Sequence, residues 1–132
     1  MYINDGNYVD VAEKVILSLK EKGRPNKRTG EKELLLTTSK IRNLLAMTAD
    51  IYNEVVNQKD SVLSENMCSR IAYLRVRFIY ESGRDNNVKD FVLQSKALDI
   101  LKSIGNSKKN YILFCRYMES LVAFHRYYGG KD

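Results

Sequence analysis

The sequence predicts an all-α protein, a compact bundle of about five helices in one domain that spans residues 1–132. In five segments, apolar residues recur at the i, i+3, i+4, i+7 spacing that places them on one side of a helix. The chain has one proline and seven glycines, so sharp turns are few, and no segment shows a convincing strand alternation. A length of 132 residues with 44% hydrophobic composition suits one domain with one core.

The first predicted helix ends at Gly23, because Pro25 cannot continue it. Its apolar side consists of Tyr8, Val11, Ala12, Val15, Ile16 and Leu19. The polar residues that follow, RPNKRTGEKE at 24–33, are typical of a turn-rich connection. We therefore expect residues 24–36 to form a flexible loop between the first and second helices.

The second and third helices each have a recognisable boundary. Thr37 or Thr38 can cap the second helix, since either hydroxyl can accept a hydrogen bond from a free backbone N–H. The apolar side of this helix consists of Ile41, Leu44, Leu45, Thr48, Ile51, Tyr52 and Val55. The third helix is predicted from about Val62 to Ser82, and Gly83 ends it because glycine favours the left-handed conformation found after many helices.

Asn87 is the predicted cap of the fourth helix, and Gly105 ends it. Its core candidates are Val88, Phe91, Val92, Leu98 and Leu101. Asn106 or Ser107 caps the fifth helix, which ends at the glycines 129–130. The broad apolar side of this helix fits either a central core helix or one that also docks on another subunit. We expect the aromatic and glycine-rich end of the chain to help dock a neighbouring subunit.

The sequence contains no recognisable catalytic or metal-binding motif, so we predict neither an enzyme nor a cofactor. His125 is the single histidine and falls within the apolar arc of the fifth helix, which indicates a packed or partner-contacting side chain. Cys68 and Cys115 are far apart and have no CxxC partner, as expected for free thiols in a reducing compartment. No signal peptide or membrane span is evident, and the expected location is the cytoplasm.

The net charge of +6, from 22 basic and 16 acidic residues, favours an acidic partner such as nucleic acid. In the third helix, Arg70, Arg77 and Arg84 recur every seven residues and therefore lie nearly in line, about 10 Å apart. The same face carries Tyr73, Tyr80 and Glu81. The opposite arc, which should face the core, consists of Ile71, Leu74, Phe78 and Ile79.

This arginine line has two interpretations. It is either a solvated face on which Glu81 bridges Arg77 and Arg84, or a surface that binds phosphates. The residue types favour phosphate, because arginine grips it with a rigid fork and tyrosines offer stacking surfaces for bases. Arg75 lies inside the core-facing arc, where its side chain would reach an edge or pair with a carboxylate.

Other basic residues stand near helix starts, where the backbone already favours anions. They are Lys40 and Arg42 in the second helix and Lys108 and Lys109 in the fifth. Arg116 and Arg126 lie on the polar side of the fifth helix. Simple solvation is the alternative interpretation for each of these positions.

Three blocks, LTTSKIRNLL at 36–45, YLRVRFIYESGR at 73–84 and IGNSKKNYILFCRYMESLVAFHRYYGGKD at 104–132, resemble the small subunit of type III-A CRISPR–Cas effector complexes. The resemblance covers about residues 34–132, and the blocks match in order and spacing. It implies basic positions at Lys40, Arg42, Arg75, Arg77, Arg84, Lys108, Lys109, Arg116 and Arg126. Arg70 lies outside these blocks, so its assignment to the phosphate-binding surface rests on the helical wheel alone.

The resemblance also implies a function. Members of this family are small helical proteins without catalytic activity, and several copies stack beside the backbone subunits that hold the guide RNA. They contact phosphates of the target RNA paired with the guide, while the backbone and large subunits perform the chemistry. The expected partners are therefore target and guide RNA, other copies of the chain, and the backbone and large subunits. The alternatives are a helix-turn-helix DNA-binding regulator and a helical adaptor that binds only protein.

Overall fold

The computed structural model describes residues 1–132 and confirms the helical class, with more helical segments than the five predicted. A two-stranded antiparallel hairpin accompanies the helices. The elements in chain order are α1 Tyr8–Glu21, β1 Arg24–Pro25, β2 Lys32–Glu33, α2 Thr38–Ala49, α3 Tyr52–Asn57, α4 Glu65–Arg84, α5 Asn86–Ser95, α6 Ala97–Ser103 and α7 Lys108–Tyr127. None of the helices is both long and apolar enough to cross a membrane.

The helix count differs because two predicted helices are each divided. The second becomes α2 and α3, with Asp50 and Ile51 between them, although Ile51 and Val55 remain buried on the predicted apolar side. The fourth becomes α5 and α6 at Lys96, which adopts the left-handed conformation at φ 60°. Glycine or asparagine usually occupies such a position. A lysine there gives no signal in the sequence.

The predicted helix boundaries are partly confirmed. Thr37 caps α2, and Ser107 caps α7 by accepting a hydrogen bond from the backbone N–H of Asn110. The predicted start of the third helix at Val62 is three residues early, since Ser64 caps α4. Its predicted last residue, Ser82, is two residues early, because Gly83 is part of α4 and the helix continues to Arg84. Asp85 rather than Asn87 caps α5.

The segment 24–36 contains order that the sequence did not indicate. Arg24 pairs with Glu33 and Pro25 with Lys32. Gly23 allows this hairpin to fold against the end of α1, because a Cβ atom at this position would lie 1.7 Å from the carbonyl oxygen of Glu33. Strands of two residues are too short to show a hydrophobic alternation.

Helix α7 is the centre of the core, which favours the first of the two interpretations given above for this helix. It packs against α1, α2, α3 and α6, and buries eight residues. Two fully buried tyrosines cross-link it to its neighbours: Tyr111 donates a hydrogen bond to the carbonyl of Thr48, and Tyr117 to that of Ser95 at 2.8 Å. In α4 the core-facing arc is narrower than predicted, because Ile79 is 50% exposed.

The C-terminal tail folds back on its own chain. The buried His125 lies 2.7 Å from the carbonyl oxygen of Leu36 through Nε2, as expected for a packed histidine. The backbone N–H of Gly130 donates to the carbonyl of His125 at 2.7 Å, and that of Thr38 donates to Lys131 at 2.9 Å. The tail thereby caps the start of α2.

Helices α1, α4 and α7 run in the same direction, and α2 runs against them. The start of α7 lies near Asp5, just before α1, whereas Tyr128 after its end contacts Glu13 and Lys20 of α1. The Nζ of Lys40 near the start of α2 lies 2.6 Å from Asp85 at the end of α4. One end of the molecule therefore holds the hairpin, the tail, and the start of α2.

Candidate nucleic-acid interface

A groove runs between the antiparallel helices α2 and α4, and it contains the arginine line. Its wider part, of about 380 Å³, is lined by Met47, Asp50, Ile51, Ser69, Arg70, Tyr73, Leu74 and Arg77. Its narrower part, of about 190 Å³, is lined by Ser39, Lys40, Asn43, Leu44, Glu81, Arg84, Asp85 and Val88. We call these two parts together the α2–α4 groove. The structure thus brings Lys40 of α2 beside Arg84, whereas Arg70 and Arg77 line the other part of the groove.

Two polar residues of the groove, Ser39 and Asn43, were not predicted from the sequence. Asn43 stands one helical turn after Lys40, so the two side chains share a face of α2. This three-residue spacing in the sequence could have indicated that Asn43 belongs to the same surface as Lys40. Both residues carry groups that can hydrogen-bond to phosphate or ribose oxygens.

Three of the four basic residues in the groove already have acidic partners. Arg70 pairs with Glu54 of α3, Lys40 pairs with Asp85 at 2.6 Å, and Arg84 lies 3.5 Å from Glu81. These partners reduce the net positive charge that the groove presents to an anion. Arg77 is exposed and has no acidic partner within 4.0 Å. Of the two predicted ion pairs of Glu81, the one with Arg84 therefore forms and the one with Arg77 does not.

The ion pair at the narrow end is reinforced by the backbone. The hydrogen bond from Lys40 lowers the pKa of the Asp85 carboxyl, and the backbone N–H groups of Val88 and Asn87 lower it further. Asp85 therefore has two tasks, since it caps α5 and holds Lys40 over the groove. The carboxylate remains charged at neutral pH, which keeps the lysine in place.

Tyr73 and Tyr80 stand beside the arginine line and are 62% and 61% exposed. The guanidinium of Arg84 lies 5.5 Å from the centre of the Tyr80 ring, within the range of a cation–π contact. Exposed aromatic rings next to arginines provide surfaces on which unpaired bases can stack. The groove therefore combines phosphate-binding and base-stacking groups.

The helix starts offer less to an anion than the sequence indicated. At α2, the N–H of Thr38 is bound by the tail and that of Lys40 by the Thr37 hydroxyl. At α7, the N–H of Lys108 donates to the carbonyl of Ser61. These bonds satisfy the N–H groups that would otherwise attract a phosphate.

Lys108 and Lys109 have different surroundings. The ammonium of Lys108 donates to the carbonyls of Val56 and Gln58 at the end of α3, so it is tied to the protein. Lys109 is exposed and lies 3.7 Å from Asp5. Together with the exposed Arg116, these lysines line a separate surface depression of about 320 Å³.

The remaining three predicted residues lie outside the α2–α4 groove. Arg42 is two residues from Lys40, which places it about 200° around α2, and Arg75 stands in the same relation to Arg77 on α4. Arg75 is half-buried and has no acidic partner within 4.0 Å. Arg126 donates to the carbonyl of Gly130 at 3.2 Å, within the tail.

The connection between α3 and α4 disfavours the helix-turn-helix alternative. It spans residues 58–64, which is longer than the turn of three or four residues in that motif. The free thiols of Cys68 and Cys115 agree with the prediction of unpaired cysteines. No three His, Cys, Asp or Glu side chains are grouped in a way that could hold a metal ion.

Comparison with known proteins identifies the family. The model of the Csm2 type III-A family matches residues 18–131. A CRISPR system Cms protein Csm2 from Mycobacterium tuberculosis (strain H37Rv) is 38% identical over 132 residues, which cover 100% of this chain and 99% of that protein. The proteins of the same name from Streptococcus thermophilus and Enterococcus italicus are 38% and 36% identical, with 98% and 96% of this chain covered, and 98% and 94% of their own. The chain therefore belongs to the Csm2 family, the small subunits of type III-A CRISPR–Cas systems.

Proposed function

We propose that this chain is a non-catalytic small subunit that binds RNA through the α2–α4 groove in an RNA-guided antiviral complex in the cytoplasm. The observation that carries the proposal is the arrangement of Arg70, Arg77 and Arg84 along one groove, with Lys40 of α2 beside Arg84. Family membership supplies the context of the effector complex. The ligand we assign to the groove is the sugar–phosphate backbone of the guide–target RNA duplex.

The ion pairs in the groove do not prevent phosphate binding. In the pairs of Lys40 and Arg84 with their carboxylates, the basic side chains are 51% and 62% exposed. Exposed ion pairs contribute only about 0 to 1 kcal/mol each. A phosphate that accepts two parallel hydrogen bonds from a guanidinium can replace such a partner. At Arg77 a phosphate has no carboxylate to replace, because this guanidinium has no acidic partner.

Contacts of this type provide affinity without sequence preference. Phosphate contacts position a protein on a nucleic acid, whereas contacts to base edges read its sequence. In RNA-guided recognition the base pairing with the guide already supplies the specificity. A small subunit that grips only the backbone can therefore serve every target. Tyr73 and Tyr80 can stack only on unpaired bases outside the duplex, and such stacking is equally tolerant of sequence because each base has a π-face.

We further propose that several copies of the chain assemble beside the backbone and large subunits. The outer side of α4 supports a protein contact, because Val76 and Ile79 are 53% and 50% exposed there. They lie three residues apart and form one apolar patch together with the exposed Ala72. Such patches on soluble proteins often mark contact surfaces. In purified effector, Val76→Glu/Ile79→Glu should lower the number of copies per complex while the isolated chain stays folded.

The groove is tested by RNA binding across a salt series. Wild type is compared with Arg70→Ala/Arg77→Ala/Arg84→Ala on a single-stranded RNA. Losing three phosphate contacts should reduce the slope of log affinity against log salt by about 2. The matched control is Lys14→Ala/Lys89→Ala/Lys102→Ala, which removes three exposed charges on α1, α5 and α6. If the two variants behave alike, the groove is not the RNA site.

A chain that binds only protein gives a different result in the same experiment. Its RNA affinity would be negligible in wild type, and no salt slope would be measurable. A DNA-binding regulator would instead protect a defined site on duplex DNA in a footprinting experiment. Either outcome contradicts the proposed function.

A further inference from the structure

The hairpin at 24–33 carries a second cluster of free positive charge. Its four basic residues are all exposed and have no acidic partner within 4.0 Å. They are Arg24, Lys27, Arg28 and Lys32. The same ten residues hold two acids, of which Glu33 is half-buried and accepts a hydrogen bond from Asn26 at 2.5 Å. In the α2–α4 groove, by contrast, three of four bases are paired.

Local hydrogen bonds hold the tip of the hairpin in shape. The side-chain oxygen of Asn26 accepts from the N–H groups of Arg28 and Thr29, at 2.8 and 3.1 Å. The backbone N–H of Asn26 donates to Glu31, and that of Gly30 donates back to Asn26. Because the backbone is already ordered, binding through the tip costs less conformational entropy than ordering a free loop.

The hairpin faces a surface depression of about 420 Å³ that it shares with the tail and α1. Tyr127 lines this depression and is 78% exposed, which makes it the most exposed large apolar side chain of the molecule. Lys20, Lys32 and Lys131 also line it, and so do the carboxylates of Glu31 and Glu33. The carbonyl of Lys131 binds the start of α2, so the hairpin surface and Lys40 lie at the same end of the molecule.

We propose that the hairpin is a second phosphate-binding surface, which contacts the RNA where the strand continues past the end of the α2–α4 groove. This inference rests on the proposed function. Free arginine and lysine side chains supply the phosphate contacts, and Tyr127 supplies a stacking surface. A protein partner fits less well, because residues 27–32 are exposed and contain no apolar side chain, whereas the centres of protein interfaces are depleted of lysine.

The test is RNA binding by Arg24→Ala/Lys27→Ala/Arg28→Ala/Lys32→Ala over a series of salt concentrations. None of these side chains makes a hydrogen bond or an ion pair, so the hairpin should keep its fold, and circular dichroism checks this. The matched control is Lys14→Ala/Lys59→Ala/Lys89→Ala/Lys102→Ala, which removes four exposed charges from other surfaces. Two to four lost contacts should lower the salt slope by about 1.4 to 2.8 on single-stranded RNA.

The outcomes separate this inference from the proposed function. A slope that falls for the hairpin variant and not for the control supports the hairpin surface. If the hairpin variant matches the control while the groove variant loses affinity, the hairpin is refuted and the groove stands. If only the hairpin variant loses affinity, the groove is refuted, and the hairpin is an RNA-binding surface but not a continuation of the groove. If RNA binding is unchanged but the other subunits no longer co-purify, the hairpin is a protein contact and the inference is wrong.

Discussion

The Gly130→Ala variant tests whether the tail packs against the core, because the imidazole ring of His125 occupies the space that a side chain at position 130 would need. A Cβ atom there would lie 2.1 Å from Cε1 and 2.2 Å from Nδ1 of His125. Real Cβ atoms essentially never approach so closely, so either the tail or the ring must move. Moving the tail breaks the hydrogen bond from Gly130 to His125 and the one from Thr38 to Lys131.

Two backbone hydrogen bonds contribute about 0.5 to 1.5 kcal/mol each, so the variant should lose about 1 to 3 kcal/mol of unfolding free energy. With an unfolding entropy of about 2.1 cal/mol/K per residue, that loss lowers Tm by about 4 to 11 °C. Thermal unfolding followed by circular dichroism measures the shift. The matched control is Gly83→Ala in α4, where nothing lies within 4 Å of the new methyl group.

The two alanine substitutions should act in opposite directions. Alanine is a better helix former than glycine by about 1 kcal/mol, so Gly83→Ala should raise Tm by a few degrees. An unchanged Tm in Gly130→Ala would refute the packing of the tail on His125. A loss in both variants would show that the effect comes from glycine replacement in general.

Three further predictions concern buried and tethered side chains. Burial lowers the pKa of His125 below its ordinary 6.5, so the folded state binds the proton less readily than the unfolded chain, and the free energy of unfolding should fall as the pH drops below 6.5. Because it is the only histidine, His125→Gln should abolish this slope in pH-dependent denaturation, and a flat wild-type profile would contradict the assignment. Lys108→Met should lower the free energy of unfolding, measured by chemical denaturation, by about 1 kcal/mol, because the Lys108 ammonium donates hydrogen bonds to the end of α3. Lys109→Met should leave it almost unchanged. Equal losses in the two variants would be evidence against this role of Lys108. Burial raises the pKa of Cys115 to about 12, so its thiol should react slowly with Ellman's reagent. Native protein should therefore show one fast-reacting thiol, Cys68, and denatured protein should show two. Two fast-reacting thiols in the native state would show that Cys115 is accessible.

The sequence predicts those parts of the fold that depend on periodic burial. The apolar sides of α1, α4 and α7 are visible in the spacing of their residues, and so are the caps Thr37 and Ser107. The division at Lys96 could not be predicted, because its left-handed backbone is imposed by the packing of α5 and α6 rather than by the residue type. The hairpin depends on contacts between Gly23 and Glu33, which no local pattern records.

The same distinction holds for the candidate site. The seven-residue spacing of the arginines places them on one line of α4, and the structure finds Arg70 and Arg77 in one part of the groove. Two of the acidic residues that pair with the bases of the groove lie outside the helix of their partner: Glu54 of α3 pairs with Arg70, and Asp85, which follows α4, pairs with Lys40. Ion pairs between distant segments depend on tertiary packing. The tether of Lys108 to the end of α3 was hidden for the same reason.

The most direct test of the central claim is chemical-shift mapping by NMR on the isolated 15.3 kDa chain at low salt. A short RNA of arbitrary sequence is added to uniformly ¹⁵N-labelled protein, and the perturbed backbone amides are assigned. If the groove binds RNA, the perturbed amides lie along α4 from Arg70 to Arg84 and in the first turns of α2 around Lys40, and an RNA of a second sequence gives the same pattern. Perturbations confined to α5 and α6, or none with RNA in excess, would contradict the claim that the α2–α4 groove binds the RNA backbone.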